Sequence, residues 1–336
     1  MALDHQTLTK KTGVLVVNLG SPTAPTRPAV RRYLKGFLSD PRVVNLPRTL
    51  WWLILHFLVL PFRSGKSAKA YQQVWTEEGA PLILFTQQLT EKIATRFSTK
   101  IIQIEMAMRY GEPRIASKLE LFKQQGMESL VIIPLYPQYS STTTASVHDE
   151  IFRLLLSEKY IPEIHFINDY YQHPLYIKGI ATKIEAAWEQ REKGELLILS
   201  FHGLPAKLTE WGDPYEDQCH TTAKLIAEQL KIEDNAWKIV FQSRFGKAEW
   251  LKPYCVDTLR ELPAQGIKHV DIVCPGFSVD CLETLEEIVI ANKAVFIEAG
   301  GESYHYIPAL NADDSHVELL ENLIIPTVRA KDDQSL

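Results

Sequence analysis

Short apolar runs alternate along the chain with longer segments in which apolar residues recur every three or four positions. The short runs are continuously apolar, which is typical of parallel strands covered on both faces, and the longer segments have the period of amphipathic helices. The predicted strands are Gly13–Asn18, Ile101–Met106, Ser129–Pro134, Ile164–Ile167, Leu196–Phe201, Lys238–Phe241, Val270–Cys274 and Ser303–Tyr306. The predicted helices are Pro28–Leu38, Pro81–Arg96, Glu112–Gln125, Thr143–Ser157, Leu175–Glu189, Asp213–Leu230, Lys252–Leu262, Leu282–Asn292 and Ser315–Leu323. This alternation predicts the α/β class.

A weak internal repeat indicates two units rather than one barrel. The segments 14–22 and 196–205 share a strand followed by a polar residue, an apolar residue, glycine and proline. We therefore predict two four-stranded units with a boundary near His173-Pro174 and a ligand cleft between them.

Composition narrows the class of protein. The chain is 46% hydrophobic and 23% charged, as expected for a soluble globular protein, and its net charge of −5 argues against nucleic-acid binding. The four cysteines, at 219, 255, 274 and 281, include no Cys-x-x-Cys spacing, so neither a zinc ribbon nor a disulfide framework is indicated. A reduced, cytosolic compartment is the default expectation. No G-x-G-x-x-G follows the first strand, which argues against a dinucleotide ligand.

Titratable side chains follow two of the predicted strands. His202 ends one strand, and a helix carrying Asp280, Glu283 and Glu287 begins shortly after another. Ligands of open α/β sheets bind at the carboxyl ends of strands, so this pairing suggests proton transfer and metal handling in one cleft. Two structural interpretations remain open: a core histidine bonded to backbone, and acids that only favour a helix N-terminus.

The most apolar segment runs from Leu50 to Phe62 and is too short to span a bilayer, which needs about 20 residues. It is either a buried helix or a hydrophobic lip that takes up a flat apolar ligand or touches a membrane. The basic residues that flank it, and that suit an anionic ligand or lipid surface, are Arg48, Arg63, Lys66 and Lys69.

Further aromatic and basic residues follow predicted strands. Arg109, Arg244 and Trp250 are placed near the cleft, since arginine suits carboxylate recognition and tryptophan suits an aromatic ligand face. The tyrosines of Tyr136-Pro-Gln-Tyr139 are candidates for a ligand wall, although the Ser and Thr residues after them also fit plain helix capping.

Several motifs occurring in order along nearly the whole chain together resemble the ferrochelatase family. They are Val17-Asn-Leu-Gly-Ser-Pro22, Tyr136-Pro-Gln-Tyr-Ser140, Ser200-Phe-His-Gly-Leu-Pro205, Gly212-Asp-Pro-Tyr215, Gln242-Ser-Arg-Phe-Gly246, Trp250-Leu251 and Asp280-Cys-Leu-Glu-Thr-Leu-Glu-Glu287. The resemblance implies insertion of Fe²⁺ into protoporphyrin IX, the terminal step of haem synthesis. It also implies two Rossmann-like domains, 1–174 with the lip and 175–312, and a C-terminal helix in 313–336 that packs back on the first domain.

The resemblance also implies roles for individual residues. His202 and Glu283 are the expected catalytic and metal-contacting pair, with Asp280 and Glu287 in an acidic path for protons or metal behind them. The expected porphyrin-binding residues are Arg63, Tyr71 and Arg109 near the propionates, and Tyr136 and Trp250 in the pocket. The expected lip residues are Trp51, Trp52, Leu55 and Leu58.

Three departures from the family pattern change the expectations. Cys281 stands where some relatives have histidine, and Ala80 stands where many have a serine near a propionate. The chain lacks the cysteine-bearing extension of animal relatives, and Ser141 stands where one of their cluster cysteines lies. We therefore expect no iron–sulfur cluster and no permanently bound cofactor. The polar segment Met1–Thr12, which has no signal-peptide core, fits a bacterial, cytoplasmic enzyme.

Other functions stay open. A chelatase for coproporphyrin, or one that inserts cobalt into a more carboxylated tetrapyrrole, would share the fold, but the apolar lip favours protoporphyrin IX. A non-catalytic haem carrier would need an iron ligand but no row of acids. The expected partners are protoporphyrin IX and Fe²⁺, with peripheral membrane contact through the lip and no nucleic acid.

Overall fold

The computed structural model describes residues 10–97, 101–246 and 248–328, and in these residues eight strands form two parallel sheets of four. The strands are β1 Thr12–Asn18, β2 Ile102–Met108, β3 Ser129–Pro134, β4 Glu163–Phe166, β5 Leu196–His202, β6 Trp237–Gln242, β7 His269–Val273 and β8 Ser303–Ile307. The first sheet has the order β2-β1-β3-β4 and the second has the equivalent order β6-β5-β7-β8. The predicted fold class and all eight predicted strands are confirmed, with small shifts at their ends.

Helices cover both faces of each sheet. They are α1 Arg27–Leu38, α2 Arg48–Ile54, α3 Leu60–Val74, α4 Pro81–Ala94, α5 Ile115–Gln124, α6 Thr144–Leu155, α7 Pro174–Gln190, α8 Lys207–Glu210, α9 Tyr215–Leu230, α10 Cys255–Glu261, α11 Lys293–Glu298 and α12 Asp314–Val328. Two π-helices, Leu55–Val59 and Glu283–Asn292, complete the elements used below. We call the second of these the acidic helix.

The first strand shows why an apolar run suits a sheet covered on both faces. Val14 and Val16 pack with residues of α4 and α12, whereas Leu15 and Val17 pack with α5 and α6 on the opposite face. All four side chains are fully buried. Full burial of such a side chain contributes about 1.5–3 kcal/mol, so β1 anchors both layers.

The apolar segment after α1 is longer than the sequence predicted. Helix α2, the π-helix Leu55–Val59 and α3 follow one another without a break from Arg48 to Val74. The prediction covered only Leu50–Phe62 because apolar character ends there, while the helix continues with a mostly polar sequence. Its second half is held by the burial of Leu60, Ala68 and Tyr71.

The last helix contacts both units. Val317, Leu320 and Ile324 of α12 pack in the core of the first sheet, while Leu319 packs in the core of the second. The predicted boundary near residue 174 falls between the end of β4 and the start of α7. The exact domain limits stay a prediction, and residues 329–336 of the predicted third segment lie outside the described residues.

Loops at the carboxyl ends of the two sheets are bonded to each other. The Asp213 carboxylate accepts hydrogen bonds from Ser140 Oγ at 3.0 Å and from the N–H and Oγ of Ser141 at 2.7 Å each. Gln138 Nε2 donates to Thr222 Oγ1 at 3.0 Å and to the Pro275 carbonyl at 3.2 Å. These bonds turn the carboxyl edges of the two sheets toward each other, so residues that follow the strands share one region.

Candidate active site

His202 is the last residue of β5 and lies half-buried at the carboxyl edge of the second sheet. Its Nδ1 is 2.6 Å from the Gly203 carbonyl oxygen. Because a carbonyl oxygen only accepts, Nδ1 carries the proton of the neutral ring and Nε2 presents a lone pair. Gly203 is required here, since a Cβ at this position would lie 2.5 Å from the Gln242 carbonyl oxygen. The strand end is thus shaped to leave one basic nitrogen available.

Of the three predicted acids, Glu283 and Glu287 lie on a π-helix, Glu283–Asn292, which continues into α11. Asp280 lies before this helix, so its predicted place on the helix was wrong. The prediction of a helix here is confirmed, but the expectation of α-helical geometry was wrong. A π-helix has i→i+5 hydrogen bonds, which make each turn wider, and π-helices are frequent at functional sites. Burial is the main cause of the raised pKa of Glu287, and the charge of the nearby Glu283 adds to it.

Glu287 is clamped by the residue that follows β6. The Ser243 N–H donates to Glu287 Oε1 at 2.7 Å, and Ser243 Oγ donates a short hydrogen bond to Oε2. Burial raises the pKa of Glu287 above its ordinary value, while the Ser243 hydrogen bonds and the nearby His202 oppose part of this rise. A carboxyl group tuned in this direction can exchange protons nearer to neutral pH.

Asp280 has different surroundings. The residue is 3% exposed, and its carboxylate accepts hydrogen bonds from Thr284 Oγ1 at 2.9 Å, Asn311 Nδ2 at 2.7 Å and the Tyr306 hydroxyl. These contacts join the start of the acidic helix to the end of β8 and the loop after it. The predicted place of Asp280 in an acidic path stays a prediction, and its contacts show that it anchors this helix.

A small pocket adjoins Glu283 on the side of the first sheet. Its polar lining comprises Ser21, Tyr33, Tyr71 and Glu283 with the thiol of Cys281. Burial, and next the charge of Glu283, raise the pKa of Tyr71. The structure therefore brings Tyr71 and Cys281 to the same acid that the sequence paired with His202.

Arg63 projects from α3 toward the second unit. Its guanidinium carbon lies 4.2 Å from the centre of the Phe245 ring, a cation–π contact between the two units. Burial lowers the pKa of Arg63, and the charge of Glu283 partly offsets this. Arg63 is thus a cation on the cleft side of its helix, in the electrostatic range of Glu283.

Arg109 is engaged within the first unit. Its Nη2 forms a 2.7 Å ion pair with Asp40, which is 7% exposed, and its Nε donates to the Ser146 carbonyl at 2.9 Å. The Tyr110 hydroxyl also donates to Asp40. Tyr136 lies in the electrostatic range of Arg109 and Tyr110, and burial raises its pKa. The predicted propionate contact of Arg109 and the pocket role of Tyr136 stay predictions.

Trp250 lies beside His202. Its backbone forms a β-bridge with Pro205, and its ring would be 3.3 Å from a Cβ built on Gly203. The buried Nε1 of Trp250 has no hydrogen-bond partner among the described residues. This tryptophan therefore lies directly beside the strand end that carries the histidine.

The predicted lip residues separate into two sets. Trp51 and Leu55 are buried, and Trp51 Nε1 donates to the Leu38 carbonyl at 2.6 Å, whereas Trp52 and Leu58 are more than half exposed. Phe57 and Phe62 add further exposed apolar surface, at 65% and 78% exposure. Each of the two interpretations of this segment therefore describes one of its faces: one face is buried as in a buried helix, and the other exposes apolar side chains as a lip would. In the described part of the chain, no helix has both the length and the apolar content to cross a membrane.

Sequence reasoning missed two residues that hold the site together. Gln242 and Ser243 appeared only within a longer motif, yet their side chains contact the acidic helix at Glu283 and Glu287. Ser243 has a φ of +66°, which is uncommon for a residue with a side chain. Their position directly after a predicted strand was the available signal. Among the described residues, no three His, Cys, Asp or Glu side chains converge to hold a metal. The predicted metal contacts of His202 and Glu283 stay a prediction.

A family model described as Ferrochelatase matches residues 11–328. The chain belongs to the ferrochelatase family. It is therefore an enzyme that inserts a metal into a porphyrin, in haem biosynthesis.

Curated ferrochelatases are similar over almost their whole length. The chain is 53% identical to the ferrochelatase of Methylococcus capsulatus over 94% of this chain and 96% of the relative. It is 48% identical to the ferrochelatase of Aeromonas hydrophila, covering 94% and 98%. It is 50% identical to ferrochelatase 1 of Shewanella oneidensis, covering 93% and 94%.

Solved chelatase structures share the fold of this ferrochelatase. SirB from Bacillus subtilis with Fe³⁺ superposes with a TM-score of 0.57 at 14% identity, covering 97% of this chain and 98% of that one. A sirohydrochlorin chelatase SirB in complex with cobalt, from Bacillus subtilis subspecies spizizenii, gives 0.56 at 12% identity, covering 96% and 98%. At these identities the similarity shows the two-sheet architecture alone.

Proposed function

We propose that this ferrochelatase inserts Fe²⁺ into protoporphyrin IX to give protohaem, with the ring held in the cleft between the two sheets. One observation carries the proposal: His202 presents a free Nε2 at a strand end that also faces a helix carrying Glu283 and Glu287. A base and a row of acids are what metallation needs, because two pyrrole protons leave as the metal enters. The exposed apolar surface around Trp52 and Phe62 favours protoporphyrin IX over more carboxylated rings.

In this proposal, His202 Nε2 accepts a pyrrole proton or contacts the incoming Fe²⁺. Glu283 faces it across the ring, delivering metal or passing protons to Glu287. The buried Glu287 suits proton exchange because its pKa is raised toward neutrality. Contacts with the remote parts of the ring supply the energy to hold it non-planar, which exposes the nitrogen lone pairs.

The porphyrin would be held by residues on both sides of the cleft. Arg63 and Tyr71 lie near Glu283 and are proposed to receive the propionates. Trp250 lies beside His202 and is proposed to pack against the ring. Arg109 is committed to Asp40, so we propose that it acts on a propionate only through this ion pair or after leaving it.

We also propose that the enzyme works without an iron–sulfur cluster. All four cysteines are buried thiols, and burial raises the pKa of each. Cys255 accepts a hydrogen bond from Asn292, and Ser141, at a family cluster position, is bonded to Asp213. These residues have structural partners that a cluster would displace.

The proposed location is the cytoplasm, with the lip touching a membrane surface. The support is the exposed apolar set around Phe57 and Phe62, flanked by Arg48, Lys66 and Lys69. Co-sedimentation with anionic vesicles, weakened in a Phe57→Ser, Phe62→Ser double variant, is the expected result. Equal sedimentation of both proteins would contradict the contact.

The central test is an anaerobic assay of purified protein with protoporphyrin IX and Fe²⁺, and Zn²⁺ in parallel, followed by the porphyrin absorption spectrum. Multiple turnovers that are lost in Glu283→Ala are expected. Binding of haem without turnover would instead indicate the carrier. Turnover of coproporphyrin, or of sirohydrochlorin with Co²⁺, in place of protoporphyrin IX would correct the substrate while leaving the enzyme class unchanged.

A further inference from the structure

Two consecutive residues, Gln242 and Ser243, connect the strand that carries His202 to the acidic helix. Gln242 is the last residue of β6 and pairs in register with His202 of the adjacent β5. Its side chain is buried, with 2% of the residue exposed. A buried amide must satisfy its donors and acceptor within the protein, so its partners are informative.

The Gln242 amide has partners on both elements. Its Oε1 accepts from Ser200 Oγ at 2.8 Å, and its Nε2 donates to the Glu283 carbonyl at 3.0 Å. Its backbone carbonyl accepts from the Gly203 N–H at 2.7 Å. The Gln242 side chain therefore bonds both Ser200 of β5 and Glu283, the first residue of the acidic helix, and the Gln242 backbone bonds Gly203, which follows His202.

Ser243 continues the connection by one turn of the helix. Its left-handed backbone conformation points both its N–H and its hydroxyl at the Glu287 carboxylate, so each oxygen of Glu287 receives one donor. A carboxylate gripped at both oxygens has a fixed direction as well as a fixed place. Gln242 and Ser243 together therefore set the position of Glu283 and Glu287 relative to His202.

A π-helix has particular need of such external contacts, since it is rare and forms mostly as short segments at functional sites. Besides Gln242 at its first residue, the acidic helix is held by the Tyr304 hydroxyl, which donates to the Ile288 carbonyl at 2.7 Å. The Tyr304 contact lies farther along the helix than Glu287. Gln242 bonds Glu283 itself, and Ser243 bonds Glu287 itself.

We propose that Gln242 and Ser243 are positioning residues for metal insertion, which hold Glu283 and Glu287 at the working distance from His202. This inference rests on the proposed function, in which those three residues move protons and metal. The side-chain contacts of both residues with the acidic helix are at Glu283 and Glu287, so in this proposal both act through the acids.

The test compares Ser243→Ala with a matched control, Thr209→Val. Both variants remove one hydroxyl that donates to a glutamate, but Thr209 bonds Glu216 on an exposed surface. We expect kcat to fall on the order of tenfold in Ser243→Ala and to stay unchanged in the control. The Michaelis constants of both variants are expected to stay within about twofold of the wild-type values. Gln242→Met is expected to lower kcat further, and thermal melts of each variant report the fold.

A double-variant cycle separates positioning from a structural role. If Ser243 acts only through Glu287, Ser243→Ala has no further effect on kcat in a Glu287→Gln background. An unchanged kcat in Ser243→Ala, or an undiminished effect in that background, would overturn the proposal. The porphyrin that the wild type metallates is used throughout, so a failure on protoporphyrin IX would count against the substrate and not against the two residues.

Discussion

Replacing Asp280 by alanine removes the centre of a buried hydrogen-bond network. Three side chains donate to its carboxylate: Thr284, Tyr306 and Asn311. The Thr284 hydroxyl has a second acceptor, the Cys281 carbonyl at 3.2 Å, so it keeps a hydrogen-bond partner in the variant. Tyr306 and Asn311 are left with buried donors, at roughly 1–3 kcal/mol each. The expected loss in the free energy of unfolding is therefore about 4 kcal/mol.

The assay is urea denaturation followed by circular dichroism, with Asp280→Asn and Asp257→Ala as comparisons. The asparagine keeps one acceptor oxygen, so about half of the loss is expected. Asp257 forms only an exposed pair with Arg260, and its removal is expected to cost less than about 0.5 kcal/mol. A loss below about 1 kcal/mol in Asp280→Ala would refute the anchoring argument. A stable Asp280→Asn protein without turnover would instead support the acidic path.

Three further predictions concern the site and the fold. Because burial raises the pKa of Glu287, its ionisation destabilises the fold as pH rises past the ordinary value of 4.5. Glu287→Gln is therefore expected to gain stability relative to wild type between about pH 4 and pH 8. A difference in urea midpoints that stays constant with pH would contradict this. His202→Ala is expected to lower kcat by roughly 10²–10⁴ while fluorescence titration shows porphyrin still bound; near-normal turnover would exclude the assignment. Gly20→Ala places a Cβ 1.7 Å from the Tyr110 carbonyl oxygen at a φ of +108°, so its melting temperature is expected to be well below that of wild type. Gly36→Ala, in open helical surroundings, is expected to gain about 0.5–1 kcal/mol of stability. Equal melting temperatures of the two variants would contradict the steric argument.

The strands could be predicted from the sequence because each is a short, continuous apolar run. In β1 and β5 both faces of the strand are buried, so apolar residues are favoured along the whole strand and the pattern is visible in the sequence. Helix ends were less predictable. Helix α3 continues to Val74 through a polar sequence because Tyr71 and Ala68 pack against α1 and its neighbours, and that packing is not visible in the local pattern.

The site was predictable in part for the same reason. Residues at or after the carboxyl ends of parallel strands lie at one edge of the sheet, as His202 and Ser243 do. Side-chain contacts between segments far apart in the sequence could not be predicted. Nothing in the local pattern joins Asp40 to Arg109, which lie 69 positions apart, nor indicates that Ser243 adopts a left-handed conformation to hold Glu287. The contacts of the acidic helix with Gln242, Ser243 and Tyr304 likewise join distant segments.

The unbroken helical segment from Arg48 to Val74 is exposed to solvent at Phe57 and Phe62 and buried beside Glu283 at Tyr71. This segment connects the outer surface of the protein to the acid that, in the proposed function, handles the metal. If the segment tilts as one rigid body, a surface that binds the exposed end better in one tilt also shifts the buried end. Thermodynamic reciprocity then requires that porphyrin changes the affinity for that surface by the same factor as the surface changes the affinity for porphyrin.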